Sequence, residues 1–174
     1  MCKAALAGTL LFLLTASPQR LAPFVATPDD VVDRMLRLAE VTRADVVFDL
    51  GSGDGRIPIA AARQYGARGV GIELDPELIA RSRNNARAAG VQDLVEFRAG
   101  NLLTADLSAA TVVTLYLVSS ANDALRPVLQ RQLKPGARIV SHAFSMGPDW
   151  PADKVDQFVR ANGDEVTLYL WRLR

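Results

Sequence analysis

The chain reads as a single α/β domain whose sheet is mostly parallel and closes with a C-terminal antiparallel hairpin. Three observations predict this. Short apolar runs such as Val46-Val47-Phe48 and Thr111 to Val118 lack the polar alternation of a half-exposed strand, so both faces must be covered, as in a parallel sheet between helices. Between such runs lie longer segments with apolar residues at helical spacing. Near the C-terminus, β-rich runs over 155–160 and 166–173 flank Asn162-Gly163, a strong hairpin signal. With 174 residues, 49% of them hydrophobic and 22% charged, the chain can build one full core, and no repeat or second domain is indicated.

Residues 1–20 stand outside this pattern, and the domain is expected over 21–174. Lys3 precedes the apolar run Ala4 to Ala16, which Ser17-Pro18 breaks, as in a secretory signal. Pro18 and Leu14 make a poor cleavage site, so an uncleaved membrane anchor through residues 4–16 and a misassigned start stand beside that reading. Either of the first two implies a membrane-associated or exported protein, with the side of the membrane open. Cys2, the only cysteine, allows no disulfide within the chain and reads as incidental. Without Lys3 and Arg20 the remaining chain carries 18 basic and 19 acidic side chains, which is not the footprint of a nucleic-acid binder. Arg81, Arg83 and Arg87 read as a solvated helix face, and no metal site is predicted.

The elements follow in order. Pro23 to Pro28 is an extended approach to a helix, with Thr27 as cap, Pro28 at the first helical position and Asp30 close to a capping box. Val31, Val32, Met35, Leu36 and Ala39 supply its apolar stripe. The first strand, Val46 to Leu50, runs into a loop with Gly51, Gly53 and Gly55, and a helix with Pro58 in its first turn follows. The second strand ends at Glu73, and a helix opens at Asp75-Pro76-Glu77, with Gly90 as its stop. A third strand, Leu94 to Arg98, turns at Asn101-Leu102; the fourth spans Thr111 to Val118. A helix body over Pro127 to Leu133 and a turn at Lys134-Pro135-Gly136 lead to a fifth strand, Arg138 to Phe144. The terminal hairpin completes seven strands.

The chemistry is concentrated in Asp49-Leu50-Gly51-Ser52-Gly53-Asp54-Gly55-Arg56. A dinucleotide site would want G-x-G-x-x-G, but Arg56 stands where the third glycine belongs. A P-loop would need Lys-Ser or Lys-Thr after the glycines, and neither is present. An acid at the strand end disfavours a phosphate but suits a ligand carrying an ammonium and a sulfonium. Glu73, closing the second strand, can accept from both hydroxyls of a ribose.

The D-x-G-x-G-x-G pattern resembles motif I of the class I S-adenosylmethionine (SAM) methyltransferases, a single Rossmann-like, seven-stranded domain. That resemblance implies SAM as cofactor, held by Asp49, Gly51, Ser52, Gly53, Gly55, Glu73, Asn101 and Leu102. Asn101 stands where the family usually has an Asp that reaches the adenine amino group. The fourth strand ends Leu115-Tyr116-Leu117-Val118, without the Asn-Pro-Pro-Tyr type of motif that holds a planar nitrogen, so a base or glutamine is a poor acceptor. Together with Pro23-Phe24-Val25-Ala26-Thr27-Pro28, these residues look like the ATP synthase c-subunit lysine N-methyltransferase family and its small bacterial relatives. The family's approach segment is closer to Pro-Tyr-Val-Pro-Thr-Pro, so Phe24 and Ala26 depart from it. The family implies direct methyl transfer to a protein lysine, in a membrane protein, and no nucleic-acid partner is expected. Small-molecule methylation and a non-catalytic SAM-binding module are the alternatives. Tyr116 is the candidate catalytic residue, either presenting its hydroxyl near the methyl group or packing as core. His142, the only histidine, is read as hydrogen-bonded structure ahead of a proton acceptor.

Overall fold

The computed structural model describes residues 24–174, so the leader expected over 1–20 lies outside the described residues. Seven strands form one sheet: β1 (Val46–Leu50), β2 (Arg68–Glu73), β3 (Val95–Ala99), β4 (Val112–Leu115), β5 (Arg138–His142), β6 (Lys154–Val159) and β7 (Glu165–Arg172). Their spatial order is β3-β2-β1-β4-β5-β7-β6. The first five strands are parallel, and β7 runs antiparallel to both β5 and β6.

The helices among the described residues are α1 (Asp29–Leu38), α2 (Arg56–Tyr65), α3 (Pro76–Ala88) and α4 (Ser119–Gln132). Alternation along β1 divides the core. Val46, Phe48 and Leu50 pack with Leu125 and Leu129 of α4 on one face, whereas Val47 meets Met35 and Leu36 of α1 and Ile57 and Ala61 of α2 on the other. Ile79 and Ala86 seat α3 against Ile59 and Ala62 of α2 and Phe97 of β3. Each large side chain buried in these layers stabilises the fold by roughly 1.5–3 kcal/mol. Among the described residues no helix is long and apolar enough to cross a membrane.

Four local features differ from the sequence reading. Thr27 does not cap α1: Pro28 is the cap residue, its carbonyl accepting from Val31 N–H (3.0 Å) and Val32 N–H (2.9 Å), and no side chain caps the helix. The fourth strand stops at Leu115, because its partner β1 ends in the register pair Leu50–Leu115 and then turns away. α4 begins at Ser119, so Pro127 lies inside the helix rather than at its start. Both Pro127 and Asp123, whose carbonyl loses its bond, are exposed, and water can replace it. The fifth strand stops at His142, where Ala143 adopts φ +65°.

Candidate active site

The C-terminal ends of β1 and β4 flank the point where the strand order reverses, the place where open α/β sheets bind ligands. The glycine loop is built there by close approach. Gly51, at φ +82°, turns the chain so that its own N–H and that of Ser52 reach Ile72 O at 2.9 and 3.0 Å. Gly55 has φ +80°, and a Cβ on it would lie 2.6 Å from the Phe97 ring and 2.7 Å from Ser82 Cβ. It is therefore what lets α2 start hard against α3 and β3.

Beside this loop is a narrow cleft of about 60 Å³, lined by Phe24 to Thr27, Asp49, Gly51, Ser52, Asp54, Arg56, Glu73, Leu102, Tyr116 and Leu117, among others. Its polar groups are locked in place. Glu73 Oε1 accepts from Leu74 N–H (2.8 Å) and Asp75 N–H (3.0 Å), and Oε2 accepts from Gly53 N–H (3.0 Å). These bonds use about three of the carboxylate's four acceptor sites. A ribose diol thus finds one free site at Oε2, and a second if Gly53 lets go. Asp49 is buried at the end of β1 with Thr114 Oγ1 donating to its Oδ1 at 2.7 Å. Burial pushes its carboxyl up to about 7, against the Thr114 bond and aided by the charges of Glu73 and Asp54. Asp54 is likewise buried, but the Arg56 guanidinium, bonded to it at 3.0 and 2.7 Å, outweighs desolvation and holds its carboxyl below the usual range. Arg56 Nη1 also donates to Thr27 O at 2.8 Å, which ties the approach segment to the loop.

Of the residues singled out from sequence, Asp49, Gly51, Ser52, Glu73, Leu102 and Tyr116 come together around the cleft, and Gly53, Gly55 and Asn101 do not line it. Gly53 lies under the Phe24 ring, where a Cβ would fall 2.3 Å from Cε2. The Asn101 side-chain oxygen accepts from Leu103 N–H at 2.9 Å, closing its own turn, and keeps a second lone pair. His142 is stacked rather than hydrogen-bonded: its ring lies 4.0 Å from that of Tyr116 at 30°, and Nδ1 has no partner. Burial first, and the Arg160 charge second, push it down to about 4, so the ring is neutral at pH 7. Sequence reasoning missed Asp54 and Arg56 as parts of the site. Their only signal was an arginine in place of the third glycine.

This arrangement agrees with what the chain is similar to. Residues 49–154 match the ANTKMT methyltransferase domain. The chain belongs to that family. It is 41% identical over 150 residues to the protein-lysine N-methyltransferase of Saccharolobus islandicus, covering 86% of this chain and 92% of that protein. Identity is 33% over 144 residues to the ATP synthase c-subunit lysine N-methyltransferase of Xenopus laevis, covering 83% of this chain and 62% of that protein. A solved RNA methyltransferase from Salinibacter ruber, in complex with S-adenosyl-L-homocysteine, has 58% identity and a TM-score of 0.80, covering 86% of this chain and 94% of that one. This ANTKMT-family chain is a SAM-dependent methyltransferase with the expected seven-stranded fold. The site fits that cofactor: Ser52 Oγ is buried in the cleft wall without a partner, and Asp49 and Glu73 are acids where positive charge and hydroxyls need acceptors.

Proposed function

We propose that this enzyme methylates the side-chain amine of a protein lysine. The observation that carries the reading is the end of β4, where the half-buried Tyr116 and the buried Leu117 border the cleft in place of a polar clamp for a planar nitrogen. The 41% identity to a protein-lysine N-methyltransferase supports it. SAM supplies a methyl group made electrophilic by its sulfonium. Asp49, Ser52, Gly51, Glu73 and Leu102 bind it, while Tyr116 borders the acceptor. Attack on the methyl group needs the amine lone pair, so the amine must be uncharged where it meets the cleft edge formed by Leu117 and Phe24. Deprotonating a lysine of ordinary pKa at pH 7 costs roughly 4–5 kcal/mol, which an apolar, cation-bearing site reduces. Aligning two reactants contributes up to about 7–11 kcal/mol, and an amine that gives its proton to bulk water before it binds needs no base in the cleft. His142 does not line the cleft and stacks on Tyr116 instead, so it is not placed to act as a base there. The resemblance to the c-subunit enzymes supports a membrane protein as substrate, and the apolar run over residues 4–16 agrees with a membrane-adjacent place of work.

The test is incubation of the full chain with methyl-labelled SAM and, separately, membrane, soluble-protein and RNA fractions. Label on a protein lysine is the expected outcome. The Salinibacter ruber structure makes RNA the second reading, against which the near-neutral charge argues. Label confined to RNA or to small molecules overturns the lysine reading.

A further inference from the structure

Tyr116 lies one residue beyond the last ladder pair of β4, so no strand neighbour fixes it, yet it lines the cleft. What lies against its ring is the imidazole of His142, 4.0 Å away. His142 is itself well held. It is the last residue of β5, in register with Leu168 of β7, and only 7% exposed.

The chain directly after it is tightly constrained. Ala143 takes a left-handed φ of +65°, which a non-glycine residue keeps only where its surroundings over-determine it. Those surroundings are specific: Ala143 N–H donates to Thr167 O (2.8 Å), Phe144 N–H to His142 O (2.8 Å) and Ser141 Oγ to Phe144 O (2.6 Å). Asn122, wholly buried on α4, donates to Ser141 Oγ (3.3 Å), Phe144 O (3.0 Å) and Ser145 O (3.3 Å). α4 and β5 are thereby locked together beside Tyr116.

We propose that His142 is a positioning residue: its ring, held by the Asn122-anchored turn after β5, sets the plane of the Tyr116 ring on the acceptor side of the cleft. The inference rests on the reading of Tyr116 as bordering the acceptor. Stacked aromatic faces restrict one another's tilt, and the neutral imidazole behaves here as an aromatic surface. His142 would act through Tyr116 and exchange no proton with the acceptor.

The experiment uses the full chain labelled with 3-fluorotyrosine, in which the three tyrosines give three fluorine resonances and Tyr116→Phe identifies one. His142→Phe keeps an aromatic face, and His142→Leu keeps bulk without one. With S-adenosyl-L-homocysteine bound, wild type and H142F should give a sharp, shifted Tyr116 resonance, and H142L one moved towards the value of free fluorotyrosine. Cofactor affinity should stay within about twofold in both variants, because neither touches the glycine loop. With a labelled acceptor protein, H142L should raise acceptor KM by about tenfold, as when a contact that holds the bound acceptor is lost, and H142F should recover it with an unchanged pH profile. An unmoved Tyr116 resonance in H142L, or a KM that H142F fails to recover, overturns the proposal. Wild type that binds SAM but labels no lysine would instead overturn the acceptor reading, and the fluorine spectra would still decide whether His142 sets the Tyr116 ring.

Discussion

Around β1 and β2 the cleft is held largely through main-chain groups: Glu73 receives three backbone N–H bonds, and Gly51 and Ser52 are tied to Ile72 O, with Thr114 on Asp49 and Arg56 on Asp54 as side-chain additions. Around β4 and β5 it is held by side chains, with Tyr116 against His142 and Asn122 spanning the turn beyond. Backbone contacts persist under most substitutions, whereas side-chain contacts change with a single residue. The β1–β2 half of the cleft is thus conformationally stiff. The β4–β5 half is the part that substitution can redirect.

The sharpest way to break the comparison is to insert bulk into the stiff half. Gly55→Val places a branched side chain at φ +80°, with its Cβ 2.6 Å from Phe97. Overpacking together with the left-handed backbone should cost about 3–5 kcal/mol, read as a loss of denaturant midpoint. Wild-type stability in this variant would mean that α2 and α3 are not packed as described.

Asp49→Asn comes next, and it should raise stability while weakening function. The Asp49 carboxyl rises from 3.8 to about 7 on folding, so its ionised form is disfavoured in the folded, cofactor-free protein. The penalty is absent below about pH 4, grows as pH rises, and is complete above about 7, where it approaches roughly 4 kcal/mol. D49N should therefore be more stable than wild type at pH 8 and equal to it near pH 4. Its affinity for SAM should fall most above pH 7, where wild-type Asp49 carries its charge. Denaturant titrations across that range check the first claim and calorimetry the second; lower stability of D49N at pH 8 would refute the burial penalty.

Glu73→Gln puts an amide N–H₂ where backbone N–H groups converge. Losing one charge-assisted bond should weaken SAM binding by about 2 kcal/mol, roughly 30-fold, measured by calorimetry. An unchanged Kd would remove Glu73 from the cofactor site. Phe24→Ala should act least. It uncovers Gly53 without touching the locked acids, and a loss of about 1 kcal/mol should appear as a few-fold faster SAM dissociation in stopped flow. An equal dissociation rate would mean that the approach segment does not cover the bound cofactor.

Much of this was legible beforehand because the relevant interactions are local in sequence. The order of strands and helices follows from apolar periodicity, and the glycine loop, Asp49 and Glu73 follow from a motif whose spacing is the turn itself. The hairpin was readable from Asn162-Gly163. Residues whose partners the motif does not name are placed differently from the sequence reading or were passed over. Thr27 loses its cap role because Pro28 takes it, and its carbonyl is held by Arg56. Asn101 satisfies its own turn rather than facing the cleft. His142 gave no local sign of a ring stacked upon it.

Local patterning, then, decided the fold, the cofactor loop and the two acids, because strand period, turn geometry and glycine spacing are properties of a few consecutive residues. Tertiary contact alone decided that Asp49 is buried enough to titrate near neutrality and that Arg56 ties loop to approach segment. It also decided that Tyr116 rests on His142. Burial, charge and ring contact depend on what other strands and helices bring to the same place, and no stretch of chain encodes its distant neighbours.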